Sequence, residues 1–306
     1  MPINLEIYMV IFGQFQGEIA ALSAAFIWAI ASVVFLHLGQ RLSPLILNVA
    51  KSGIAIAMLL LTLGIQGVGL PEASSTPVLL LLLSGAVGIG IGDTAFFGCI
   101  NELGPRRALL MEALAPPLAA FIALIFLQEQ LSAIAWFGII LTIAGVAWVV
   151  VERAHPSQQP IANPWLGIGL GLIAACGQAS GAVLSRAALA DTTVSPLWSS
   201  LLRLVAGVSV LLLLLARQPH RRYELKWVRS PRFLATLVGV AFFGTYLAVW
   251  LQQTALKHTE AGIAQALGSI SPLFVLPFAV MMGDRISYRA LGGVVLALVG
   301  VWLLFN

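Results

Sequence analysis

Apolar residues along this chain gather into long runs separated by short polar stretches. Ten runs reach or approach the length that crosses a bilayer as a helix, about 20 residues. They are 17–38, 44–66, 77–99, 106–127, 132–151, 164–186, 195–216, 233–255, 260–282 and 288–305. The stretches 130–151, 164–185 and 233–256 carry no charge, other runs enclose an ionisable residue, and the last is short for a full crossing. The runs are too long for barrel strands and lack a two-residue alternation. The pattern predicts an all-helical protein embedded in lipid. Residues 1–16 are mildly apolar with no Lys or Arg. They lack the basic start of a signal peptide, so the first span is expected to be retained.

Composition agrees. Of 306 residues, 60% are hydrophobic and 9% charged, against about 25% charged in a soluble domain, and the mean hydropathy is +1.00. A cytosolic enzyme, a secreted disulfide scaffold and a disordered tail are excluded. Cys99 and Cys176 both lie inside apolar runs, so no disulfide framework is implied. The net charge of +4 does not argue for nucleic acid, because the basic residues are distributed over short loops. The longest loops, 152–163 and 217–232, leave no room for a soluble domain. Whatever the chain does, it does inside or across the membrane.

The runs also repeat. With a shift of 155 residues, Pro117-Leu118 meets Pro272-Leu273, Glu129 meets Asp284, Leu131-Ser132 meets Ile286-Ser287, and Gly138 and Gly145 meet Gly293 and Gly300. A shift of 152 pairs Pro44 with Pro196 and Lys51 with Arg203, and a shift of 148 pairs Ala31-Ser32 with Ala179-Ser180. Each copy has five spans. An odd number sends the second copy into the membrane from the other side, giving an inverted repeat of the kind that rocks about a shared central site. The expected division is an N-terminal segment 1–16, a first repeat 17–151, a linker 152–163 and a second repeat 164–305.

On these residues the chain resembles the drug/metabolite transporter superfamily, in its ten-helix branch built from two EamA-type repeats. Gly92-Asp93-Thr94, the stretch from Arg107-Ala108 to Ala115-Pro116-Pro117, Leu127-Gln128-Glu129-Gln130-Leu131-Ser132 and Met282-Gly283-Asp284-Arg285-Ile286-Ser287 carry the resemblance. Lys51 and Arg203 match the basic position in the second span of each repeat, with Lys replacing the more usual Arg in the first copy. The resemblance covers essentially the whole chain. It implies an all-α membrane protein of ten transmembrane helices in two inverted five-helix repeats. It also implies export of amino acids, drugs or other metabolites, without fixing which.

Loops that follow odd-numbered spans hold twelve Lys and Arg, against two, Arg186 and Lys257, on the opposite side. Positive loops stay cytoplasmic, so both termini are expected outside, in a multi-pass plasma (inner) membrane protein.

Ionisable residues at membrane depth cost about 2.5–3.5 kcal/mol on insertion scales and face a cavity or a partner. Asp93 is the deepest acid, after Gly85, Gly88, Gly90 and Gly92. It is either a proton, cation or amine site, or a structural tie to Lys51, Arg203 or the backbone. Glu112 precedes Pro116 and Pro117, whose missing N–H groups free the carbonyls of residues 112 and 113. A cavity-lining broken helix is favoured there over a packed kink paired to Arg106 or Arg107. Pro272 repeats the break, and Pro277 adds another. Lys51 and Arg203 are assigned first to snorkelling or to pinning helix ends, with a substrate anion as the sharper alternative. Glu129 and Asp284 are expected to be structural turn residues before the N-capping Ser132 and Ser287. Polar and aromatic positions complete the cavity candidates: Trp28, Asn48, Phe97, Gln178, Tyr246, Trp250, Gln253 and Gln265. The glycine pairs 138/145 and 293/300 suit either scaffold packing or a dimer contact.

No phosphate-binding loop, zinc-protease motif or metal-spaced cysteine pair occurs. The expectation is therefore a secondary transporter with no cofactor and no metal, not an enzyme. It is a monomer or homodimer in membrane lipid, moving a small-molecule substrate by alternating access. Coupling to protons through Asp93 or Glu112 is one version and facilitated diffusion the other. The rival readings are an intramembrane enzyme and a non-transporting membrane scaffold.

Overall fold

Helix starts in this chain follow a shared recipe. Ser43-Pro44, Asn163-Pro164, Ser195-Pro196 and Ser230-Pro231 each place a short polar residue before a proline that opens the helix. Proline at the first helical position has its φ already set and lacks an N–H that would be orphaned there anyway. Asn163 and Ser195 accept the backbone N–H of Leu166 and Trp198, and Ser132 and Ser287 do the same for Ala135 and Ala290.

The computed structural model describes residues 13–39, 41–67, 69, 75–153, 163–217, 230–281 and 287–305. Asp284, most of residues 1–16 and most of the two longest loops lie outside them. The ten helical spans, in order, are α1 (Gln16–Gly39), α2 (Pro44–Gln66), α3 (Ser75–Leu103), α4 (Pro105–Glu112 and Ala115–Phe126), α5 (Ala133–Arg153), α6 (Pro164–Leu189), α7 (Pro196–Ala216), α8 (Pro231–His258), α9 (Ala261–Gly268 and Ser271–Met281) and α10 (Tyr288–Leu303). Eight candidate spans are long and apolar enough to cross a membrane, and the remaining two apolar segments, 261–277 and 288–303, are shorter. Every run in the sequence thus has its helix. α4 and α9 are each broken in two, with Pro116 and Pro272 in the first turn after the break. Pro277 instead sits inside the continuous second piece of α9, exposed at its surface.

Two faces can be told apart by what meets across them. On the first, Thr259 donates to Glu18 at 2.7 Å, Trp198 Nε1 to the Gly69 carbonyl at 2.9 Å, and the rings of Phe15 and Phe305 lie 5.3 Å apart. On the second, Ser287 donates to Glu152 at 2.9 Å, and Phe233 joins Leu38 and Leu42 in one apolar cluster. Successive helices run alternately between these faces, so five crossings in each copy leave the copies oppositely oriented.

Small residues set the closest approaches. A Cβ on Gly145 would collide with the backbone of Gly293 and Ala297, and one on Gly300 with Thr142 and the Gly138 carbonyl. The two seven-residue glycine pairs therefore face each other within one chain, locking α5 to α10 as scaffold. A second such crossing joins α3 to α6. There a Cβ on Gly177 would come within 3.0 Å of Gly92 Cα, and one on Gly181 within 3.1 Å of Gly88 Cα. The outer surface is apolar, with Ile65, Phe126, Trp165, Leu213, Val295 and Trp302 exposed. That is the surface lipid would cover.

Candidate functional site

A cavity of about 1030 Å³ lies between the two copies, lined by residues from α1 to α9. Its lining extends to Leu103, Gly104 and Arg107 at the second face, and among the described residues none of the lining comes from the turns of the first face. The two broken helices border it through Pro116 and Pro272, and two π-helical turns, Ala86–Gly92 in α3 and Phe242–Leu247 in α8, flank it. A π turn leaves a backbone carbonyl poorly matched to its own helix. In α8 the Gly244 carbonyl is taken instead by Trp28 Nε1, at 3.0 Å.

Asp93 follows the first π turn, and its carboxylate is held by two neutral amides. Gln178 Nε2 donates to one oxygen at 3.1 Å and Asn48 Nδ2 to the other at 3.3 Å. One donor comes from each copy of the repeat. Lys51 and Arg203 lie within electrostatic reach of Asp93, as does Glu112. Among the described residues, none of these four forms an ion pair within 4 Å. Lys51 Nζ sits over the Phe35 ring, 5.3 Å from its centre, a favourable cation–π geometry. Gln265 reaches across to the Gln178 carbonyl at 3.4 Å.

Of the residues singled out from the sequence, Trp28, Asn48, Asp93, Glu112, Gln178 and Gln265 line the cavity, together with Lys51, Arg203, Pro116 and Pro272. Phe97, Tyr246, Trp250, Gln253, Pro117 and Pro277 are not in its lining. Phe97 packs beside Phe96. Tyr246 stacks on Phe242 and binds Thr62 through its hydroxyl, and Trp250 packs against Tyr246. Gln253 is fully buried and accepts from Ser199. The cavity side of α8 carries Thr245, Val249 and Gln252 instead, each one residue before the triplet 246, 250 and 253. Both triplets have helical spacing, and the aromatic one packs its rings among α2 and α7 side chains. Ser52 is a further lining residue not singled out. Its signal was available, since Asn48, Lys51 and Ser52 form a polar cluster at i, i+3 and i+4 in an otherwise apolar run.

Glu129 stands away from the cavity, on the first face. Its carboxylate accepts Arg186 Nε at 2.6 Å and the Ala261 N–H at 3.1 Å. Arg186 Nη1 also donates to the carbonyls of Leu256 and Lys257, and Lys257 Nζ to those of Thr192 and Val194. An acid thus caps the N-terminal end of α9 and Arg186 caps C-terminal carbonyls of α8, the polarity a helix dipole favours, while Lys257 binds the turn after α6. Among the described residues, no three His, Cys, Asp or Glu side chains converge on a metal site.

A family profile described as the EamA-like transporter family matches residues 15–151 and again 165–306. The chain belongs to that family. An "Uncharacterized transporter" of Archaeoglobus fulgidus (strain ATCC 49558 / DSM 4304 / JCM 9628 / NBRC 100126 / VC-16) is 35% identical over 71 residues. That alignment spans 23% of this chain and 26% of the relative, about a quarter of its length. A solved structure, titled "Crystal structure of protein", superposes with a TM-score of 0.77 over 95% of this chain and 97% of its own. Identity there is 16%, so the likeness concerns the fold alone.

Proposed function

We propose that this EamA-family protein is a secondary transporter that exports a small metabolite, an amino acid or a similar polar-to-amphipathic solute, by alternating access. The observation that carries the reading is the cavity. It is lined by both copies and holds Lys51, Asp93, Glu112 and Arg203 at membrane depth. It reaches one face, while charged side chains cross-link helix ends at the other. A pseudo-symmetric pair of copies can exchange those states by rocking. The loop charges favour a cytoplasmic second face in a plasma (inner) membrane, which makes this an inward-facing state. Asp93 and Glu112 are the candidate proton sites.

Purified protein in liposomes, loaded with an amino-acid panel, tests the reading by counterflow. Exchange without chemical change is expected. A converted product would indicate an intramembrane enzyme, and absence of flux across a broad metabolite panel would leave a scaffold. Asp93→Asn preserves shape and removes charge, so it is expected to abolish the pH dependence of flux. Undiminished, equally pH-dependent transport in that variant would rule out Asp93 as the proton site.

A further inference from the structure

We propose that the wall of the cavity formed by α2, α7 and α8 is a subsite for an oxyanion, the carboxylate or phosphate of a solute, anchored by Arg203. This rests on the transporter reading and adds which group of the solute goes where.

Arg203 is 4% exposed, in the second turn of α7. A guanidinium presents five N–H donors in a fixed fork. Among the described residues, no acceptor is hydrogen-bonded to Arg203, and its Nε is buried without a partner. Lys51 shares this lack of an acceptor but rests on the Phe35 ring, and the cations at the first face are treated differently. Arg186 is engaged by a carboxylate and two carbonyls, and Lys257 by two carbonyls. An unmatched buried charge is costly, so Arg203 is a donor set awaiting an acceptor. The nearby acid does not fill that role. Asp93 is held by Gln178 and Asn48, and no ion pair within 4 Å joins it to Arg203.

Two other lining residues share the condition. Ser52 Oγ and Thr245 Oγ1 are buried hydroxyls without a hydrogen-bond partner, and both residues, like Arg203, line the cavity. Their helices meet there: Ala55, Leu204 and Tyr246, each at most one turn away, belong to one apolar cluster. A guanidinium on α7 with hydroxyls on α2 and α8, all in the lining of one cavity, suits an oxyanion, which offers several lone pairs at once. Asn48 Oδ1 is also without a partner on this wall. It is an acceptor, and suits an N–H or O–H adjacent to the anionic group.

The test needs no flux. Ser52→Cys, in a Cys176→Ser background purified in detergent, is reacted with the anionic sulfonatoethyl and the cationic trimethylammonioethyl methanethiosulfonates. The anionic-to-cationic rate ratio, normalised to free 2-mercaptoethanol, is expected to be about tenfold above one. It is expected to fall back towards one in Arg203→Gln and to persist largely in Arg203→Lys. Acetate and inorganic phosphate, each compared with chloride at equal ionic strength, separate carboxylate from phosphate recognition by which slows labelling more. Should Arg203→Gln fail to fold, Thr245→Val is expected to weaken that protection several-fold. A normalised ratio at or below one, a ratio indifferent to Arg203→Gln, protection indifferent to Thr245→Val, or no reaction at position 52 with either reagent overturns the subsite. Counterflow with no anion preference would remove the subsite alone. Anion preference with no counterflow would remove the transporter reading alone.

Discussion

At the first face of the bundle, Arg186, Glu129 and Lys257 tie the ends of α6, α8 and α9 and the 190–195 turn together through bonds of 2.6–3.2 Å. At the second face, the Ser287–Glu152 bond joins α5 and α10 in an exposed setting, and the cavity lining reaches the Gly104 corner. The repeat relates these faces, yet among the described residues their chemistry differs. A shift of 148 residues places Leu38 opposite Arg186, so the arginine that stitches one side has an apolar counterpart on the other. Two copies of one fold can therefore rest asymmetrically, and on the proposed rocking cycle unduplicated charges such as Arg186 would decide which gate is held shut.

Removing the central stitch should have the largest effect. Arg186→Gln leaves Glu129 without its cation and takes donors from the carbonyls of Leu256 and Lys257. Breaking one side of such a pair costs about 3 kcal/mol when both partners are largely shielded, and these side chains are 17% and 12% exposed. A lower thermal unfolding midpoint in detergent is expected, with faster alkylation of a Cys introduced at Thr192. An unchanged midpoint and unchanged alkylation would mean the first face is closed by apolar packing. Glu129→Gln should cost less, because an amide oxygen can still accept the Ala261 N–H.

Midway between the faces, Trp28→Phe keeps an aromatic body and deletes one donor. The Gly244 carbonyl in the π turn of α8 then loses its partner. A loss of about 1 kcal/mol is expected, together with faster hydrogen exchange confined to 242–247. If that turn were unaffected, α1 would not be holding α8 through this bond.

How much of this was legible in the sequence depended on how local the signal was. The spans, the Ser132 and Ser287 caps and the breaks before Pro116 and Pro272 depend on residues a turn apart, and the pattern carries them. Asp93, Glu112 and Gln178 were conspicuous because ionisable or amide groups in an apolar run need a reason. The cavity side of α8 was hidden. Thr245/Val249/Gln252 and Tyr246/Trp250/Gln253 have the same spacing, and one residue is about 100° of helix rotation. The choice between them is made by packing against α2 and by a π turn that no spacing announces. The stitch was hidden for another reason. Arg186 and Lys257 look like ordinary loop charges until distant helix ends present their carbonyls, and a carbonyl has no letter of its own.

The smallest expected effect comes from the second face. Glu152→Gln retains an oxygen that can accept from Ser287 and removes a charge from an exposed bond. Ser287 still caps α10 through the Ala290 N–H at 3.1 Å. Exposed polar pairs of this kind contribute about 0–1 kcal/mol, so stability should change by less than about 0.5 kcal/mol, and alkylation at Thr192 should not change. If the second face works as an entrance whose contacts must be remade on every cycle, a weak bond is what it needs there. A Glu152→Gln penalty equal to that of Arg186→Gln would show both faces to be equally fastened, and the asymmetry attributed to Arg186 would have to lie elsewhere.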